Sequence, residues 1–235
     1  MAATAQVDRS TIDQWTRATN AASEAARRRA GEALRTLAAG FAGEDGAIAP
    51  GRVSAFRECA EEVMEAACRA AADASAVAAA DAYEAIRAAA TGRAGGALAD
   101  PRRDPAATRG AVRGLVGQVE KPGGVGRFLR RMDERIDYEA KRASGECVLL
   151  NGRRERSAVR FARVPSGIET CAFCLMLASR GPVYLSEGTA GLGHYHAGCD
   201  CRIVPWFPGQ EVAGYDPDAL YGKWKLAEKK KGRES

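Results

Sequence analysis

A mainly α-helical chain, with an elongated N-terminal helical hairpin and a small α+β zinc-binding module at its C-terminal end, is the fold class this sequence predicts. Three observations predict it. The first ninety residues are rich in Ala, poor in Gly and Pro, and carry apolar residues at helical spacing. The last seventy hold both His residues, four of the seven Cys and most of the aromatics. Between Cys171 and Cys201, soft ligands recur at a spacing that suits one metal ion. At 235 residues the chain suits one large domain or two small ones. Composition divides it into a helical arm at 1–92, a linker with a short helix at 93–126, a module with a zinc knuckle at 127–222 and a basic tail at 223–235.

The first helix is expected to start at Ser10 or Thr11, with Asp13 in the first turn where the helix dipole favours a carboxylate. Ile12, Trp15, Ala18/Thr19, Ala22, Ala25/Ala26, Leu34, Leu37 and Phe41 give its stripe, and the glycines between Gly40 and Gly46 stop it. Pro50 opens a second helix over 51–91. Its expected buried stripe is Val53, Phe56, Cys59/Ala60, Val63, Ala66/Ala67, Ala70, Ala74, Val77, Ala80/Asp81, Tyr83/Glu84 and Ile86. Cys59 and Cys68 lie on or beside this stripe and read as small core residues. Leu and Ile heptads are missing, so an Ala-rich helical hairpin fits better than a self-associating coiled coil.

Gly, Pro and charge from Gly92 to Pro105 read as a linker or exposed loop. A short helix is expected over 104–120, broken at Lys121-Pro122-Gly123-Gly124. The next helix runs over 127–142 with Phe128, Leu129, Met132, Ile136 and Tyr138/Ala140 inward, a basic opposite side, and an end at Gly145. Cys147-Val148-Leu149-Leu150 is then a strand candidate and Asn151-Gly152 a turn signal. The run 153–163 suits a strand through Val159 and Phe161, or a helix with Ala158, Phe161 and Ala162 on one side.

Charge and targeting exclude several classes. Thirty-five basic against thirty acidic residues give a modest net +5. Overall charge therefore makes no case for nucleic acid, although 127–163 carries eleven Lys/Arg against six Asp/Glu and the tail adds Lys229-Lys230-Lys231. Residues 1–10 lack an apolar core and contain Asp8 and Arg9, so no secretory signal is expected. Asp73, Asp81, Glu84 and Arg87 interrupt the Ala-rich run that would otherwise suggest a membrane helix. An odd cysteine count without a signal favours reduced thiols or metal, in a bacterial-type cytosol or a particle assembled there.

The chemistry concentrates in Cys171-Ala172-Phe173-Cys174 and His196-Ala197-Gly198-Cys199-Asp200-Cys201. A two-residue gap lets Cys171 and Cys174 face one ion, and zinc takes four ligands in a tetrahedron. The other two come from His196, Cys199 and Cys201, which offer one ligand too many; His196 and Cys199 rank slightly ahead of Cys201. A full set favours a closed structural zinc over a catalytic one, for which Asp200 and Glu187 would be the bases; both fit better as surface residues. His194 reads as a neighbour of the site. The competing readings are thiols buried around Phe173, Leu175, Met176 and Leu177, and a redox disulfide between Cys171 and Cys174. A Gly-rich module with few large aliphatics has a small core to offset ordering entropy of about 1–2 kcal/mol per residue. Bound zinc supplies on the order of 10 kcal/mol.

Arg163-Val164-Pro165-Ser166-Gly167, the paired cysteines, Ala178-Ser179-Arg180-Gly181, Tyr184, Tyr195-His196, Cys199-Asp200-Cys201, Val204-Pro205 and Gly214-Tyr215-Asp216-Pro217 together resemble phage minor head proteins of the Mu F type, including actinophage head-morphogenesis proteins. The resemblance covers about 160–217. It implies a minor capsid component of a double-stranded DNA phage that associates with portal and capsid and enters the procapsid during assembly, with the N-terminal helices as an attachment arm. Some such proteins are labelled maturation proteases, but Ser166, Ser179 and Ser186 show no fixed His/Asp pattern. The sequence alternatives are a nucleic-acid-binding zinc-knuckle protein, whose basic face would touch packaged DNA, and a zinc hydrolase.

Overall fold

The structure is a computed structural model and describes residues 5–155, 159–166, 170–186, 189, 195 and 201–234. A short strand, β1 (Ala5–Val7), leads into α1 (Arg9–Phe41). The cap is Asp8, two residues earlier than expected, whose carboxylate accepts the Ser10 amide at 2.7 Å. The chain reverses through a turn with Gly46 at φ 73° and enters α2 (Val53–Thr91) after a 3₁₀ turn begun by Pro50. Left-handed Gly92 ends α2 at φ 69°.

The buried stripe of α2 is Phe56, Ala60, Met64, Cys68, Ala71/Ala72, Ser75/Ala76, Ala79/Ala80, Tyr83 and Ile86. It differs from the expected stripe in the middle of the helix: Val77 is exposed, and so is Cys59. Ala occupies every face there, so hydrophobicity alone does not fix the helix rotation. The large residues at both ends do, with Phe56 stacked edge-on to Phe41 and Phe128 at 5.8 and 5.6 Å, and Tyr83 against Phe207 at 6.0 Å.

The segment after α2 is pinned rather than loose. The Glu84 carboxylate accepts the amides of Gly95 and Ala97, and Asn151 both accepts from the Leu98 amide and donates to its carbonyl. Asp104 then caps α3 (Pro105–Leu115), which tightens into a 3₁₀ turn over Val116–Glu120.

Helix α4 (Gly124–Arg153) overturns two expectations. It continues through Gly145, and the expected strand at 147–150 is helix. Gly in a helix interior costs about 1 kcal/mol. Complete burial of Cys147, Val148 and Leu149 outweighs that. Asn151, read as a turn residue, is helical and donates back to the Cys147 carbonyl at 2.8 Å. Of the ambiguous run 153–163, Arg153 closes α4 and β2 (Arg160–Val164) is strand; 156–158 lie outside the described residues.

Beyond β2 come α5 (Ala172–Ala178), β3 (Arg202–Trp206), β4 (Gln210–Val212) and α6 (Pro217–Glu234). β2 pairs antiparallel with β3, with Arg163 opposite Ile203, and β1 pairs parallel with β4. The fold is thus mainly helical with a small strand portion. One core cluster gathers Leu34, Phe56, Met64, Phe128 and Met132 from the helices. The other joins Trp15, Tyr83, Ile86, Val148 and Leu149 to Phe161, Val164, Ile203 and Phe207, which seats the strands on the ends of α1, α2 and α4.

Candidate functional site

The site grows from one strand pair and one short helix. Cys171 caps α5, and its sulfur accepts the Cys174 amide at 3.3 Å. One turn of α5 turns Cys174 inward, where it is 2 % exposed, and β3 begins just after Cys201, also 2 % exposed. The two sulfurs stand 2.9 Å apart. Cys171, Cys174 and Cys201 are not joined to one another by a disulfide, so the expected alternative of a Cys171–Cys174 disulfide is not what the structure holds.

Arg163 forms the third side. It lies on β2, is fully buried, and sends Nη2 to the Cys201 sulfur at 2.7 Å and towards that of Cys174 at 3.9 Å. Its guanidinium lies over the Tyr195 ring at 4.5 Å. In the sequence Arg163 counts with a basic run. Nothing in its neighbours marks it as buried; only the β2–β3 register brings it to the sulfurs.

The strand pair is held from both sides. Arg202, 1 % exposed, donates to Asn20 at 2.9 Å and reaches the hydroxyl and carbonyl of Thr16. Tyr184 donates to the Leu177 carbonyl and Tyr215 to that of Ala178, which fixes the end of α5. Burial pushes the Tyr184 phenol above its ordinary range.

Of the five expected ligands the structure therefore brings Cys174 and Cys201 together and puts Cys171 at the mouth of α5. His196 and Cys199 lie outside the described residues, as do His194, Asp200 and Glu187. Among the described residues no three ligand-type side chains converge on one point. The donor set suits a thiolate-preferring ion. Two thiolates bound to one zinc at about 2.3 Å stand roughly 3.8 Å apart, against 2.9 Å for this pair, whose Cys201 sulfur is also met by Arg163 Nη2. The serines considered for catalysis have structural contacts: Ser166 accepts from Thr16, Ser179 donates to the Met176 carbonyl, and Ser186 pairs with Thr189.

The family model of the VG15 protein matches residues 6–227. The chain belongs to the VG15 protein family. Two curated relatives carry the name "Gene 15 protein": that of Mycobacterium phage D29 is 37% identical over 83 aligned positions, covering 23% of this chain and 30% of the relative. That of Mycobacterium phage L5 is 37% identical over 93, covering 24% and 32%. The chain thus spans about a third of the length of the relatives it matches. No solved structure matches. Neither the family description nor the relatives' names carry an enzymatic activity. These matches show the VG15 family and carry no Mu F description. No described helix is long and apolar enough to cross a membrane.

Proposed function

We propose that this VG15 family protein is a structural component of a phage particle: a minor capsid or head-morphogenesis protein, of the kind the Mu F resemblance implies, that associates with portal and major capsid protein and resides in the procapsid or virion. The observation that carries the reading is the family match along nearly the whole chain together with relatives that are mycobacteriophage proteins. A mainly helical body without a catalytic cluster among its described residues suits assembly rather than turnover. Mass spectrometry of purified particles, and co-purification with the portal protein from infected or induced cells, test it. The protein is expected as a particle component, and its absence from procapsids and virions alike would remove the reading.

The second part of the proposal is a closed structural zinc held by Cys171, Cys174 and two of His196, Cys199 and Cys201. The proximity of the Cys174 and Cys201 sulfurs supports it and moves Cys201 ahead of its sequence ranking. Metal analysis of the purified chain should return about one zinc per molecule. A well-folded protein without stoichiometric metal and indifferent to chelator would overturn it.

A further inference from the structure

Basic residues are the sequence's ambiguous signal, and the structure sorts them. Along 127–163, Lys141, Arg142 and Arg163 are buried. Lys141 pairs with Asp137 at 2.7 Å, and Arg142 with Glu139 at 2.8 Å and Glu146 at 2.5 Å. Arg131 and Arg135 pair with Glu134 and Glu139. The exposed remainder splits into Arg127 and Arg130 at one end of α4 and Arg153, Arg154 and Arg160 beyond the other. More than twenty helical residues, roughly 35 Å, separate the two groups. The described residues of that segment offer no continuous basic face.

Helix α6 is different. Its start lies on α5, where Tyr215 reaches the Ala178 carbonyl, but from Tyr221 on it projects, with Tyr221, Lys223, Lys225, Leu226 and Lys229 all exposed. Residues 221–234 contain six Lys/Arg against two Glu, so four of the chain's five net positive charges sit in this one projecting segment.

We propose that the projecting half of α6 is an arm that binds the phosphate backbone of duplex DNA without sequence preference. Charge density selects the occupant. Six cations over about ten helical residues span some 15 Å, against a duplex that carries one negative charge per roughly 1.7 Å of axis. At about 100° per residue, positions 223, 225, 229, 230 and 233 fall within one arc of about 160°, and position 231 falls on the side of Leu220, Trp224 and Ala227. A helix that docks in a protein groove presents an apolar stripe at i, i+3, i+4 and i+7. Here the apolar stripe of Leu220, Trp224 and Ala227 is half-buried, the exposed apolar side chains Tyr221 and Leu226 stand about 140° apart around the helix, and Lys225 covers the rings of Tyr221 and Trp224 at 5.4 and 4.8 Å. A one-sided cationic face on a helix whose other side is half-buried suits a polyanion that approaches from solvent. The inference stands independently of the capsid reading.

The test is fluorescence anisotropy of a labelled duplex of about 30 base pairs and arbitrary sequence with the full chain, from low to physiological salt. Affinity should fall with salt with a log–log slope of about −3 to −5. Replacing Lys229→Gln, Lys230→Gln and Lys231→Gln together should reduce that slope by about 2–3 and weaken low-salt binding by more than about tenfold. Helicity by circular dichroism should be unchanged, because Gln is a good helix former. A control with Arg127→Gln, Arg130→Gln and Arg153→Gln should change the slope by less than about one. No salt-sensitive DNA binding by the wild-type chain overturns the proposal. So does an equal loss in the α4 control, and so does a polyglutamate probe that binds where the duplex does not, which would make the arm's partner an acidic protein.

Discussion

Arg163 illustrates how a single side chain is defined by its surroundings. Burying a guanidinium costs several kcal/mol unless it is paired, and its position between the Cys201 sulfur and the Tyr195 ring supplies part of that compensation. Arg163→Met keeps the length and removes the charge. It is expected to lower stability by about 2–4 kcal/mol, seen as a lower urea midpoint. The other thiols give a sharper readout. Burial pushes the Cys68 thiol up to about 12 and the Cys147 thiol up to about 11, whereas Cys59 is exposed. Maleimide at neutral pH should therefore label Cys59 in the folded protein and reach Cys68 and Cys147 only after denaturation, as mapped by peptide mass spectrometry. Rapid labelling of Cys68 without denaturant would contradict the observed packing.

Glu155 carries a pH dependence. Desolvation pushes its carboxyl up, but hydrogen bonds from Arg87 and Arg93 more than offset this and hold it below its ordinary range. A depressed folded pKa contributes stability that is fully present above the ordinary carboxylate value of about 4.3 and lost as pH falls through the folded value. The urea midpoint of the native chain should drop more between about pH 6 and pH 3 than that of Glu155→Gln. Equal drops would show that the pair contributes nothing measurable.

At the level of elements, glycines separate tight from open positions. A Cβ on Gly124, the first residue of α4, would lie 1.7 Å from the Gln118 carbonyl oxygen. Backbone cannot give way there, so Gly124→Ala should destabilise by more than about 2 kcal/mol. Gly110, inside α3, has nothing within 4 Å of its would-be Cβ, and Gly110→Ala should stabilise by about 0.5–1 kcal/mol. Thermal melting of the two variants should move in opposite directions. At Gly145 the balance falls the other way: burial of Cys147, Val148 and Leu149 carries α4 through a residue of low helix propensity.

For the whole molecule, the strand pair and α5 rest on the helix ends, and three proposed metal ligands belong to or adjoin them: Cys174 within α5, Cys171 at its cap and Cys201 just before β3. Chelation is therefore expected to raise amide exchange in 172–178 and 202–206 before the helix centres around Phe56 and Phe128 respond. Uniform loss of protection, or none, would show that no metal holds this region. The buried charges between α1 and α4, where Ser23 donates to Asp137 and Lys141 pairs with it, sit in the floor of an open groove of about 890 Å³. They hold the register of the two helices rather than forming a catalytic pair.

Most of the helices are legible in the residues, because Ala-rich amphipathic runs punctuated by Pro50, Gly92 and Lys121-Pro122-Gly123-Gly124 state their own period and ends. The sequence also groups Cys174 with Cys201 as candidate ligands, and the structure places their sulfurs 2.9 Å apart. The strand β1, which pairs with a segment some two hundred residues away, is not legible, nor are the rotation of α2, the passage of α4 through Gly145 and the burial of Arg163. Each depends on contacts between residues far apart in the chain, where burial energy exceeds the local preferences that a sequence displays. The basic residues show the difference most clearly: sequence counts charges, and only the tertiary structure decides which of them are engaged by internal partners and which, on α6, remain in solvent.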